Sequence, residues 1–380
     1  MKFVIAMDSF KGGLPAPDVC RAVEAGIHDV MPEAVCLLVP MADGGEGTAA
    51  ALLTARPGGH WIPRTVAGPL PERPVNAGFA WFPDDRTAIV EMAAANGLPL
   101  LKPHERNPLA TGTYGTGQLI KAAVEYGARR ILLAVGGSAT VDGGIGAAAA
   151  LGWQFLDANG RPLPPVGGHL QAITGIIPPD DRSLPPVTVL CDVTNPLYGP
   201  RGAAVVFGPQ KGATPDMVQQ LDTGLKHLAT CLYAQLGIDL SDLPGGGAAG
   251  GLAAGAVAFF HATMAPGIAT IIDAAGLHIA LTGADWCVTG EGSFDDQSLD
   301  GKVVSGVAAA ARAAAVKTVV IAGRVRVDPG SCRTHGIHAA FATHAPDMPM
   351  ETVIQREPEL IRTTAGHWAR TLVDEPAPRS

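Results

Sequence analysis

Charge is scarce in this chain. Of 380 residues, 16% are charged and 5% aromatic, against 47% hydrophobic. Acidic residues outnumber basic ones by 35 to 27, a formal net charge of −8, and no basic run appears. Binders of nucleic acid or of anionic membrane surfaces need a clustered positive field, so both classes are excluded as partners. Small anions remain open, because a few lysines and backbone N–H groups suffice to hold them. Paired cysteines are missing as well. Cys20, Cys36, Cys191, Cys231, Cys287 and Cys332 are all isolated, with no C-x-x-C pair. A disulfide scaffold and a zinc ribbon therefore lack support, and a reducing cytoplasmic location is expected. The opening run Met1 to Met7 reaches Asp8 too soon for a signal peptide. Residues between Asp242 and Asp273 carry no formal charge. That length could span a bilayer, yet the stretch opens Pro244-Gly245-Gly246-Gly247, contains His261 and Pro266, and is rich in alanine. It reads as a buried helix plus loop. The P-loop lysine motif, H-E-x-x-H and G-x-S-x-G are absent too.

What the chain has is glycine, 48 residues, and proline, 32. With so much apolar sequence, disorder is excluded, and the glycines follow no collagen period. Dense glycine around a large core implies backbone that passes close to something. The length suggests two domains.

Short apolar runs feed glycine-rich loops throughout. Residues 2–7 read as a buried strand ending in Asp8-Ser9-Phe10-Lys11-Gly12-Gly13, and a helix follows Pro15 and Pro17. Ala34 to Val39 reads as a second strand, running into Asp43-Gly44-Gly45-Glu46-Gly47-Thr48 and a small-residue helix. Trp61 to Val66, Val75 to Phe82 and Thr87 to Met92 read as a meander. Alternation then resumes with strands at Ile131–Val135, Val187–Leu190 and Ala203–Phe207 and a helix near Asp216–Leu236. The last third repeats the opening: strands Trp286–Thr289, Lys317–Ile321 and Ala339–Thr343, with a helix at Val303–Ala315 between the first two. A frayed tail is expected from Asp374 to Ser380. The simplest assembly is α/β: residues 1–60 and 286–380 form one parallel, Rossmann-like sheet domain, interrupted by an inserted mixed α/β domain at 61–285, with the active site between them.

In open parallel sheets, ligands bind beyond the carboxyl ends of strands. Asp8-Ser9-Phe10-Lys11, Asp43-Gly44-Gly45-Glu46 and Glu291-Gly292-Ser293-Phe294-Asp295 would share such an edge. Their carboxylates, hydroxyls, lysine and glycine N–H groups suit a magnesium-bound polyphosphate. Gly45-x-Gly47-x-x-Ala50 resembles a dinucleotide fingerprint but lacks the later acidic residue. Gly136-Gly137-Ser138-Ala139-Thr140-Val141-Asp142-Gly143-Gly144 reads either as a helix start, with Asp142 steadying its first turn, or as a nest of N–H donors for an anion. Asp192, ending a buried strand, reads as a turn cap, a general base or a metal ligand. Lys211, framed by Gly208-Pro209-Gln210 and Gly212, reads as an anion contact. His104 and His261 stand alone and read as structural.

Taken in order, these loops resemble one family. Asp8-Ser9-Phe10-Lys11-Gly12, Ala42-Asp43-Gly44-Gly45-Glu46-Gly47-Thr48, Gly136-Gly137-Ser138-Ala139-Thr140, Cys191-Asp192-Val193-Thr194-Asn195-Pro196-Leu197, Phe207-Gly208-Pro209-Gln210-Lys211-Gly212, Pro244-Gly245-Gly246-Gly247 and Thr289-Gly290-Glu291-Gly292-Ser293 look like those of bacterial class I glycerate kinases (glycerate 2-kinases). The resemblance implies ATP- and Mg²⁺-dependent phosphorylation of D-glycerate, typically to 2-phosphoglycerate, and a flavodoxin-like domain interrupted by a second α/β domain. A homodimer is compatible with it. So is a kinase for another small hydroxy acid, and a non-catalytic sensor of small anions is the reading from a different class. The chain departs from the family pattern at Met7 and Val304, where proline is usual, at Gly13 to Ala16, and at Val141, where asparagine is usual. Losing a serine before the first helix costs about 1 kcal/mol of capping, partly offset by Pro17. On this reading Asp192, Lys11 and Lys211 are the catalytic candidates, Asp192 as general base. Asp43, Glu46, Glu291 and Asp295 are the Mg²⁺ candidates. Asp8, Ser9, Gly44, Gly45, Gly137, Ser138, Thr140, Asn195, Gly246, Gly292 and Ser293 are the substrate and phosphate contacts.

Overall fold

A computed structural model describes residues 1–10 and 12–374. The expected fraying of the tail and the role given to Lys11 both fall outside the described residues. The chain divides into two units. One comprises Met1–Asp43, Ala50–Pro57 and the described residues from Ile268 onward; the other comprises Gly44–Ala49 and Gly58–Gly267.

The first unit is built on a five-stranded, all-parallel sheet. Its spatial order is Ile337–Ala342, Lys317–Ala322, Trp286–Gly290, Lys2–Met7, Val35–Leu38. Numbering only these strands along the chain, the order is 2-1-3-4-5, the flavodoxin-like arrangement. The sequence forces a sheet covered on both faces. Alternate residues of Lys317–Ala322 enter different clusters: Val319 and Ile321 pack with Phe3, Ile361 and Trp368, whereas Val320 and Ala322 pack with Val304, Ala308 and Phe294. Period-two alternation of two apolar sets is how a strand buries both faces. The first helix, Ala16–His28, starts at Pro15 without a side-chain cap, with Pro17 in its first turn. The N–H of Leu14 just before it is instead accepted by Glu357 of the last helix, Met350–Asp374, at 2.6 Å.

The second unit carries a six-stranded mixed sheet. Thr263–Ala265, Val187–Leu190, Arg130–Ala134 and Thr87–Glu91 run parallel in that spatial order; Pro74–Phe82 and His60–Ala67 extend it antiparallel. The meander read at residues 61–92 is this antiparallel end. Leu252–Phe260 is the buried helix expected in the uncharged stretch. Among the described residues no helix is long and apolar enough to cross a membrane.

Two local readings change. Ala203–Phe207 is a helix, not a strand. Ala203 and Ala204 are buried while Val205 and Val206 face out, a grouping that fits one turn of helix and not period-two alternation. The residues between 268 and 285 belong with the first unit, because Ile268 packs on Gly306 of the helix Val303–Ala313, so closely that a Cβ at 306 would lie 2.7 Å from its side chain.

Candidate active site

In the second unit, three strand ends and the detached loop Gly44–Ala49 converge. Gly44 has φ +83° and no room for a Cβ, which would lie 2.8 Å from Leu190. A Cβ on Gly136 would stand 2.5 Å from the Cα of Gly45. These glycines let the loops after residues 134 and 190 close on Gly44-Gly45, and the N–H of Gly136 donates to the Gly44 carbonyl at 3.4 Å. Glu91 anchors the far end of the loop. It ends an otherwise apolar strand, is buried, and accepts from the N–H of Ala49 at 2.5 Å. Burial pushes its carboxyl above the usual range, and the N–H groups of Ala49 and Gly47 pull it back. Sequence reasoning passed over Glu91; a lone carboxylate closing an apolar strand was the available signal.

The loop Gly136 to Gly144 is pinned from inside. Asp142 is fully buried and accepts from the N–H of Thr113 (2.8 Å), its hydroxyl (2.7 Å), and the N–H groups of Gly144 (3.0 Å) and Gly146 (3.2 Å). Asp142 thus steadies the start of the helix Ile145–Ala150. Lys211 is buried too, in the short segment Pro209–Lys211. Its ammonium donates to Ser138 Oγ and to the Thr140 carbonyl, both at 2.7 Å. Burial pushes Lys211 down to about 7, with Asp142 pulling the other way. Lys211 therefore grips the loop from inside. Thr140 Oγ is buried with no hydrogen-bond partner among the described residues.

Asp192 lies just past the strand Val187–Leu190, exposed, and accepts from the N–H of Gly267 at 2.7 Å, where the helix Gly267–Ala274 starts. Asn195 donates through its side chain to the Arg201 carbonyl at 2.9 Å, and its own carbonyl accepts from Gly247 at 2.9 Å. Gly246 caps the same turn by donating to Leu243.

The first unit gathers another set at the carboxyl edge of its sheet. A pocket of about 340 Å³ is lined by Ser9, Glu291, Gly292, Ser293, Asp295 and residues beyond them in the fold. Asp8 is buried and accepts from the N–H of Ser9 at 2.7 Å, while its own N–H ties to Gly290. Asp295 accepts from the N–H of Gln297 at 3.1 Å and starts a short turn. Among the metal candidates, Glu291 and Asp295 thus share a pocket. Asp43 belongs to the first unit and exposed Glu46 to the second. Among the described residues, no three His, Cys, Asp or Glu side chains converge to hold an ion by themselves. Two carboxylates beside hydroxyls still fit Mg²⁺ chemistry, since Mg²⁺ is commonly held by one or two carboxylates with substrate phosphates supplying the rest.

Two α/β units, each closing its parallel strands with glycine-rich, hydroxyl- and carboxylate-bearing loops, define a small-molecule phosphotransferase. The chain belongs to the glycerate kinase family, whose model matches residues 3–373. It is 43% identical over 375 residues to a glycerate kinase of Bacillus subtilis, covering 98% of both chains. It is also 43% identical over 351 residues to a glycerate 2-kinase of Escherichia coli, covering 90% of both. A crystal structure from Salmonella typhimurium LT2, assigned as glycerate kinase 2, superposes with a TM-score of 0.85 at 41% identity over 98% of both chains.

Proposed function

We propose that the protein transfers the γ-phosphoryl group of ATP, with Mg²⁺, to D-glycerate, giving 2-phosphoglycerate. The observation that carries this reading is the near full-length identity to relatives named for glycerate phosphorylation, one of them for the 2-position. Phosphoryl transfer needs positioning and charge neutralisation more than covalent help. The glycine loops at Gly44-Gly45 and Gly136-Gly137 offer backbone N–H groups to anionic oxygens, held in shape by Lys211, Asp142 and Glu91. Ser9, Ser138, Thr140, Asn195, Gly292 and Ser293 supply further donors around the reactants, whereas the N–H of Gly246 is already given to Leu243 and Gly246 serves by its close backbone packing. Glu291 and Asp295 hold Mg²⁺, with Asp43 and Glu46 as further carboxylates; the ion neutralises phosphate charge when bound. Asp192 orients and deprotonates the attacking hydroxyl, and Lys11 neutralises phosphate charge. All six cysteines are free, which suits the cytoplasm proposed as its location.

One ³¹P NMR spectrum of the product from ATP and D-glycerate tests the activity and the carbon phosphorylated. L-glycerate and tartronate run in parallel separate a kinase for a different hydroxy acid, and no ADP release with any of the three favours a sensor. Asp192→Asn should lower kcat at least about tenfold. An unchanged kcat removes Asp192 as the base and leaves it the cap of Gly267.

A further inference from the structure

We propose that the pocket at the carboxyl edge of the first unit binds the polyphosphate of the phosphoryl donor, with Arg324 and Lys302 as its cationic clamp. This rests on the kinase reading above and assigns the donor, rather than the acceptor acid, to this edge.

Four adjacent parallel strands end at the pocket and each delivers a residue to it. Lys2–Met7 leads to Ser9, Trp286–Gly290 to Glu291, Lys317–Ala322 to Arg324, and Ile337–Ala342 to His344. The order in which successive strands are laid down reverses between Lys2–Met7 and Trp286–Gly290, the switch point where open parallel sheets bind ligands. Arg324 is held there by backbone. Its N–H donates to the Gly292 carbonyl at 3.2 Å, that of Gly323 to Glu291 at 3.1 Å, and that of Arg326 to Phe294 at 2.8 Å. Residues 324–325 thereby pair with Ser293–Phe294 as a short parallel ladder, fixing the arginine beside the acidic loop.

Among the described residues, the cations of this pocket meet no carboxylate. Among the described residues, the guanidinium of Arg324 reaches only Met350 Sδ, at 3.8 Å, and the ammonium of Lys302 only Gln297 Oε1, at 3.5 Å. Arg21, Arg73, Arg356 and Arg362, by contrast, are each matched to a carboxylate. A half-buried arginine and lysine without carboxylate partners among the described residues, set in one concave site, mark a place for an anion. His344 adds a neutral partner. Burial and the nearby Arg324 lower its basicity, and its Nε2 is buried with no partner among the described residues.

The sign pattern selects among anions. Glu291, Asp295 and Glu357, the last already accepting from the N–H of Leu14, line the same pocket as Arg324 and Lys302. A bare carboxylate gains from the cations but loses to the carboxylates. A metal-complexed polyphosphate presents both signs, oxygens to the clamp and a divalent cation to the acids. The volume, about 340 Å³, also falls in the range that takes ligands well above three carbons.

The test is equilibrium binding to the full-length chain by titration calorimetry, using magnesium tripolyphosphate, MgADP and D-glycerate as probes. Arg324→Gln and Lys302→Gln should each weaken tripolyphosphate and MgADP at least about tenfold, a charge-assisted hydrogen bond's worth, and leave D-glycerate within twofold. Arg324→Lys should recover part of the loss. Unchanged tripolyphosphate affinity in both glutamine variants overturns the clamp, as does weakened D-glycerate with tripolyphosphate intact. Absence of glycerate-dependent ADP release by the unaltered protein, alongside clamp-dependent tripolyphosphate binding, would sink the kinase reading and leave the clamp standing.

Discussion

The two units put glycine-rich loops at the same address, the carboxyl edge of parallel strands, and then treat charge in opposite ways. In the second unit the buried charges are consumed internally. Asp142 satisfies four donors, and Lys211 gives its ammonium to Ser138 and Thr140. In the first unit, among the described residues, Arg324 and Lys302 reach only a thioether and an amide. One edge uses charge to hold backbone N–H groups in place; the other keeps charge available. A buried ion in a site is therefore not by itself a ligand contact. What decides is whether its hydrogen bonds are already made.

Substitutions should separate the two regimes, and the largest effect belongs to Asp142. Replacing it with alanine strands three backbone N–H groups and the Thr113 hydroxyl and removes the buried charge that offsets Lys211, so stability should fall by about 3–5 kcal/mol in chemical denaturation. A loss below about 1 kcal/mol would show that the second edge is not internally tied. Lys211→Met comes next, read through pH. Folding lowers the lysine from 10.5 to about 7, so the unfolded chain binds the extra proton across that window. Stability should rise with pH from about 7 to 10.5 in the unaltered protein, and this rise should flatten in the variant. Glu91→Gln acts in the other direction and more weakly. Burial raises the carboxyl, so the folded state keeps its proton longer and stability falls as pH climbs above 4.5. Glutamine should abolish that fall and shift neutral-pH stability by only about 1 kcal/mol. The smallest effect is at Arg324→Gln: within about 0.5 kcal/mol in stability, whatever happens to binding. A clear destabilisation there would place Arg324 with the structural charges after all.

Much of this was legible in the residues. The parallel sheet of the first unit follows from apolar runs whose alternate residues are all apolar, and the meander from the short strands after Trp61. The loops at Gly44, Gly136 and Gly290 announced themselves by glycine. Lys211 was readable as non-surface from its Gly-Pro frame, but not the direction of its ammonium, because that depends on Ser138 and Thr140, some seventy residues earlier. Ala203–Phe207 misled because five apolar residues before Gly-Pro fit either period. Arg324, Lys302 and His344 carried no local signal. They become one site only when four strands lie side by side, and nothing in any single segment encodes that neighbourhood.

The bond from Leu14 to Glu357 joins the start of the chain to its last helix, and Phe3 meets Trp368 edge-on in the same core. Such closure sets an order of events on the ribosome. The stretch from 58 to 267, with its own sheet and core, is made before the residues from 268 onward. The strand Lys2–Met7, though synthesised well before, cannot be buried on both faces until the helix Met350–Asp374 has followed it. Waiting this long is tolerable because loop-closure entropy grows only with the logarithm of length. A truncation that removes the final helix should therefore leave a folded middle and a newborn amino-terminal strand exposed to chaperones, instead of a protein weakened evenly throughout.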